Sequence, residues 1–155
     1  MTTLNQIQKF MEPRKLAIAG VSRNPKKFGG AVYTELKKKG FELYPINPEV
    51  DEIYGEKCYR SVLDLPDDVK HLYIATPKQE TAGVVKQAAE KGIEMAWIQQ
   101  SADTEEAIAI AGENGLPLIY RKCIFMFAEP VESIHKFHRF CMKLFGAYPK
   151  MEKAG

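Results

Sequence analysis

The sequence predicts an α/β fold: a doubly wound, mostly parallel sheet of about five strands with helices on both faces. Three observations lead there. Short apolar runs alternate with helical stretches of about ten residues or more, the order produced by parallel strands joined through crossovers. The runs are mostly apolar throughout, as in a sheet buried on both faces. Turn residues punctuate the junctions: Gly20, Gly40, Asn47-Pro48, Thr76-Pro77, Gly92 and Gly115.

The elements follow in order. Leu4, Ile7, Phe10 and Met11 have helical spacing, so a short helix ends near Pro13. Residues 16–21 form a continuous apolar run, a buried strand. Residues 29–39 read as a helix with Val32, Tyr33 and Leu36 on one face. Lys37, Lys38 and Lys39 suit the negative end of its dipole, and Gly40 stops it. Residues 41–46 are a second strand, ended by Asn47-Pro48. Residues 52–59 carry little pattern and are expected to be a loop with one short strand. Residues 61–65 make a single helical turn before Pro66. A strand at 72–75, a helix at 80–91, a strand at 93–98, a helix at 104–114 and a strand at 116–120 complete the alternation. Glu42 and Glu94 are the exceptions within the strand runs. A long helix at about 128–146 closes a single domain expected to span 1–155.

Composition narrows the function classes. The chain is 45% apolar and 27% charged, ordinary for a soluble globular protein. A net charge of only +2 gives no global pull towards nucleic acid. An anion preference must therefore come from a local cluster, and Arg23, Lys26 and Lys27 form one. The three cysteines, Cys58, Cys123 and Cys141, are odd in number and widely spaced, with no CxxC. That argues against a disulfide framework or a zinc knuckle and for a reducing cytoplasm. Asn5, Gln6, Gln8 and Glu12 break any signal-peptide core. No run approaches the roughly 18–20 apolar residues of a membrane span.

In an open sheet of this type, ligands sit beyond the carboxyl ends of the strands. The loops at 20–28, 47–54, 76–79 and 99–103 are therefore the candidates. The first is the richest, within LAIAGVSRNPKKFGG at 16–30. Gly20 permits a tight turn and close backbone approach to a ligand. The amides that follow, and the positive end of the next helix, make an anion site, to which Ser22 adds a hydroxyl. Pro25 is tolerated near a helix start, and Gly29 and Gly30 allow close helix-to-strand contact. The plainer alternative is a strand-to-helix turn with a solvated basic loop.

The nucleotide is a separate question. NAD-binding turns read GxGxxG, whereas this register is Gly20-x-Ser22-x-x-Pro25. They also place a carboxylate at the end of the second strand, where this chain has Asn47-Pro48, with Glu49 and Asp51 just beyond. A ligand with an additional phosphate on its adenosine ribose fits better. NADP and coenzyme A both qualify.

Several segments together resemble a known family. They are AIAGVSRNPKKFGG (17–30), KKGFELYPINP (38–48), IYGEKCYRS (53–61), WIQQ (97–100) and EEAIAIAGENGLPLIYRKCI (105–124). Their order and spacing resemble the small stand-alone coenzyme A-binding proteins, relatives of the nucleotide-binding domain in the succinyl-CoA synthetase α subunit. The resemblance implies a Rossmann-like fold that binds coenzyme A. By position it implies that Gly20, Ser22, Arg23 and Lys27 cradle the phosphates. Asn47 and Pro48 would shape the second loop beside the adenosine, Thr76 and Pro77 the third, and Gln99 the fourth. Val21 and Lys26, in the first loop, complete the expected contacts. The chain departs from the family at Ser101, where a glycine is usual, and at Arg121-Lys122, where an Asp is frequent.

Other chemistry is thin. His135 and His138 share a face of the last helix, but two imidazoles are not a full metal set. His71 reads as a surface or strand-edge residue. Cys123 follows two cations that could activate a thiol, although free cysteine is more often a small buried hydrophobe. Val131, Ile134, Phe137, Cys141, Leu144 and Phe145 make an apolar stripe. It would pack on the sheet or serve a homodimer or protein partner. The expected function is a cytoplasmic, non-catalytic module for coenzyme A or acyl-CoA, with no nucleic acid or membrane partner. Two alternatives stand beside it: an NAD(P)-binding oxidoreductase or redox sensor, and an interaction subunit of an acyl-CoA-handling complex.

Overall fold

A computed structural model describes residues 2–124. The expected helix at 128–146, with its stripe, His135, His138 and Cys141, lies outside the described residues. In chain order the elements are α1 (Leu4–Met11), β1 (Lys15–Ala19), α2 (Phe28–Lys38), β2 (Glu42–Ile46), β3 (Glu52–Ile53) and β4 (Glu56–Lys57). A 3-10 turn at Val62–Asp64 follows, then β5 (His71–Ile74), α3 (Lys78–Lys91), β6 (Met95–Gln99), α4 (Glu105–Glu113) and β7 (Leu118–Lys122).

Five strands form one parallel sheet in the order β2-β1-β5-β6-β7, a Rossmann-like α/β arrangement. The chain moves outward from β1 to β2, then crosses back to place β5 on the other side of β1. The order reverses between β1 and β5, and a crevice opens at their carboxyl ends. Helices α1 and α2 cover one face through Ile7, Phe10, Val32, Tyr33 and Leu36. Helices α3 and α4 cover the other through Val85, Ala88, Ala107 and Ala111. The central strands β1, β5 and β6 are thus buried on both sides, which is why their sequences are apolar without alternation.

The differences from sequence expectation have local causes. The segment at 52–59 holds two short antiparallel strands rather than one, turned at Tyr54-Gly55 with both residues at positive φ. Two left-handed residues in succession suit the twist of a two-residue hairpin. Ile93 belongs to the cap of α3 and not to β6: Gly92 is left-handed, and the Ile93 amide returns to the Ala88 carbonyl at 3.0 Å. The last strand starts at Leu118 rather than Leu116, since Pro117 has no amide to donate and only its carbonyl joins the ladder, accepting from Ala96. Pro45 is tolerated within β2 because that strand is the outermost of the five.

Candidate functional site

A cleft of about 720 Å³ lies at the carboxyl ends of β1, β2 and β5. It is lined by Gly20, Val21, Ser22 and Lys27 from the first loop, and by Asn47, Pro48 and Glu49 from the second. Thr76 and Pro77 come from the third and Glu80 from the first turn of α3, with Phe28, Ile46, Arg60, Ser61, Val62, Val84 and Gln87 along the rest of the wall.

The first loop is shaped by backbone contact that only glycine allows. Gly20 has φ +89°, and a Cβ there would sit 2.5 Å from the Ala75 carbonyl oxygen. A Cβ on Gly29 would collide with the Gly20 carbonyl, so α2 begins directly against the turn. Beyond Gly20 the loop winds on itself. The Ser22 hydroxyl accepts from the Asn24 amide at 3.1 Å, and the Asn24 side chain accepts from the Lys26 amide at 2.9 Å. The Lys27 amide donates to the Asn24 carbonyl at 3.0 Å. From outside, the Tyr54 hydroxyl of the β3–β4 hairpin donates to the Ser22 carbonyl at 2.5 Å.

Two helices, α2 and α3, open on the cleft. Their N-cap residues, Lys27 and Pro77, make no side-chain cap hydrogen bond, whereas Thr3 and Thr104 cap α1 and α4. The first turn of α2 carries no acidic residue, while α3 has Glu80 in its first turn. The α2 end is therefore the better anion site.

The second loop is tied to the first. The Asn47 side-chain amide donates to the Val21 carbonyl at 3.0 Å, and its oxygen accepts from the Glu49 amide at 2.9 Å. Arg60 reaches the same corner, giving Nε to Asp51 at 2.7 Å and Nη1 to the Pro48 carbonyl at 3.2 Å. The guanidinium holds the Asp51 carboxyl below its usual range, chiefly through that hydrogen bond. On the third loop, Thr76 and Thr81 hydroxyls lie 3.0 Å apart, and Thr81 donates to the Ala102 carbonyl at 2.9 Å. Opposite them, the Ser61 hydroxyl donates to the Gln87 side-chain oxygen Oε1 at 3.2 Å.

The cleft therefore gathers Gly20, Val21, Ser22, Lys27, Asn47, Pro48, Thr76 and Pro77 from the residues expected on sequence. Arg23, Lys26 and Gln99 are not among its lining residues. Gln99 is buried at the end of β6, where its oxygen accepts from the Tyr73 hydroxyl. Sequence reasoning did not single out Arg60, Ser61, Glu80 or Gln87. The signal for Ser61 was its place before a helical turn, where its oxygen accepts from the Leu63 amide. Nothing local marks Arg60: a long-range pairing of Tyr59 beside β2 brings it there.

The other candidates resolve simply. His71 stacks on Phe10, and its Nδ1 lies 2.8 Å from the Phe10 carbonyl, a structural role at the opposite end of β5. Cys58 and Cys123 are free and buried, and burial pushes the Cys58 thiol up. Among the described residues no group of three or more His, Cys, Asp or Glu could hold a metal, and no helix is long and apolar enough to cross a membrane.

Known proteins share this architecture. The ADP-forming acetate–CoA ligase II of Archaeoglobus fulgidus is 37% identical over 115 residues, covering 73% of this chain and 16% of that protein. The chain spans only 12–28% of the length of the first curated ligases it matches. A conserved hypothetical protein from Pyrococcus furiosus is 40% identical with a TM-score of 0.69, covering 72% of this chain and 96% of that one. A hypothetical protein from Pyrococcus horikoshii OT3 is 32% identical with a TM-score of 0.74, covering 79% of this chain and 87% of that one. The family model of the CoA binding domain matches residues 14–129, and the chain belongs to that family.

Proposed function

We propose that the cleft binds coenzyme A or an acyl-CoA, with the diphosphate across the Gly20–Ser22 turn and the start of α2. The carrying observation is the pair of helix ends without side-chain caps, of which the α2 end is free of acidic residues. An anion there gains about 0.3–2 kcal/mol from the helix terminus, before any charge-assisted bond from Lys27. The residues present fit the group: Gly20 and Gly29 let the first turn pack against the Ala75 carbonyl and the start of α2, which keeps that helix end at the cleft, and the donor set is cationic at Lys27 and Arg60. Ile46, Val62 and Val84 offer apolar surface to an adenine, with Ser61 and Gln87 at its polar edge. Coenzyme A would supply a thiol able to carry acyl groups as thioesters.

Binding without covalent chemistry by this chain is the favoured form of the reading. Among the described residues the lining includes neither histidine nor cysteine. The similarity to a small part of much longer ligases supports a module that presents the coenzyme to chemistry carried elsewhere. Calorimetric titration tests the reading. At a hundred times Kd, coenzyme A would stabilise the fold by about 2.7 kcal/mol, a rise on the order of 5–10 °C in Tm. No heat and no thermal shift at millimolar coenzyme A would overturn it. Tighter binding of NADPH than of coenzyme A would move the site to the dinucleotide class.

A further inference from the structure

We propose that Arg60 reads a phosphate monoester on the adenosine ribose, and so sets a preference for a phosphorylated ribose over an unmodified one. This rests on the coenzyme reading above and adds the residue that selects within it.

The placement of Arg60 is built by the sheet. Tyr59 bridges Ile46 in parallel, outside β2. Its amide donates to the Pro45 carbonyl at 2.8 Å, and its carbonyl accepts from the Asn47 amide at 2.9 Å. Tyr59 thus acts as one parallel rung beyond the edge strand, and the next residue emerges at the carboxyl edge. In an open α/β sheet that edge, at the end of the second strand, is where the adenosine ribose lies. A carboxylate at that position takes both ribose hydroxyls, whereas an arginine accommodates a phosphate.

The side chain is oriented before any ligand arrives. Nε is held by Asp51 and Nη1 by the Pro48 carbonyl, which fixes the plane of the guanidinium along the wall of the cleft. Nη2 and the second hydrogen of Nη1 make no hydrogen bond among the described residues. They supply the donor fork that recognises a phosphate in two-point fashion. Asp51, one of the two carboxylates just beyond β2, is engaged by Arg60 instead of being left to hold ribose hydroxyls.

The other cations do not compete for this role. Lys27 lines the cleft at the start of α2, beside the turn assigned to the diphosphate, and Arg23 and Lys26 do not line it. The Arg60 side chain is 54% exposed, so its attraction is partly screened and the preference should weaken with added salt.

The test is calorimetric titration of the full chain with two ligand pairs: coenzyme A against dephospho-coenzyme A, and NADP+ against NAD+. The first pair carries the phosphate on the 3′ oxygen and the second on the 2′ oxygen, so the pairs distinguish the two sources of the same group. The wild-type chain is expected to favour the phosphorylated member of one pair by about tenfold or more. Arg60→Gln should weaken the phosphorylated member and lose most of that preference, while the released Asp51 carboxylate leaves the unphosphorylated member bound no more weakly than in the wild type. Arg60→Lys, which keeps the charge and loses the fork, should fall in between. An unchanged preference in both variants, or equal weakening of both members of a pair, overturns the assignment of Arg60. A wild-type chain that binds no member of either pair overturns the coenzyme reading itself. Binding of coenzyme A with an Arg60-independent preference leaves that reading intact and removes only this proposal.

Discussion

Asn47 holds the Val21 carbonyl through its side-chain amide at 3.0 Å, so the end of β2 grips the turn that follows β1. The same side chain accepts from the Glu49 amide, which makes it the link between the two loops expected to embrace a nucleotide. Asn47→Ala removes both bonds and should cost about 1–3 kcal/mol in urea denaturation. Asn47→Asp should cost more, because it turns a carboxylate towards the Val21 carbonyl. Coenzyme A affinity should fall in both variants, since the first loop loses its tether. A drop in stability with unchanged affinity would show that the link supports the fold alone.

Glycines in this chain divide sharply by what surrounds them. Gly20→Ala would place a methyl 2.5 Å from the Ala75 carbonyl at a φ of +89°, and both effects oppose it. A loss greater than about 2 kcal/mol is expected, with the cleft distorted. Gly83, on the exposed face of α3, has nothing within 4 Å of the point a methyl would occupy. Gly83→Ala should stabilise by about 0.4–1 kcal/mol through chain entropy. Opposite signs in the two melting curves check the assignment, and equal effects would contradict it.

Why the order of elements was readable, and the site only in part, follows from range. Strands buried on both faces, such as Ile18 and Ile98 in their runs, announce themselves by composition within a few residues. Gly20, Asn47 and Thr76 were readable because each ends such a strand, and strand ends meet at the switch point. Arg60 was not, because it reaches the cleft through pairing of Tyr59 with Ile46, thirteen positions back in the chain. Gln99 also ends a strand, but its partner is Tyr73 on the neighbouring strand, a contact no local pattern encodes. At 52–59 the sequence predicts one short strand where two pair as a hairpin, because strands of two residues carry no periodicity.

Ser101 occupies a left-handed conformation with φ +82°, a backbone region that favours glycine. A side chain there bears steric strain that glycine lacks. Ser101→Gly should therefore stabilise the fold by about 0.5–1 kcal/mol, which denaturant titration can resolve. Since Ser101 does not line the cleft, coenzyme A affinity should not change. Destabilisation by this substitution would mean that the serine side chain offsets its backbone strain.

Tyr73 is fully buried and donates its hydroxyl to Gln99, and burial, reinforced by nearby Cys123, holds the phenol well above its ordinary value of 10.0. The direction fixes the sign of a pH effect. The unfolded phenol loses its proton near the ordinary value while the folded one keeps it, so the unfolded state binds fewer protons above that pH. The stability this group contributes is fully present below pH 10 and is lost as pH rises towards the folded value. Tyr73→Phe should carry a pH-independent cost of about 1–3 kcal/mol, because the buried Gln99 oxygen loses its donor. It should also show a shallower decline of stability on the alkaline side. In the wild-type chain, tyrosinate absorbance should rise in two stages, with the last component appearing together with loss of circular dichroism. An alkaline slope identical in wild type and Tyr73→Phe would assign the decline to other groups.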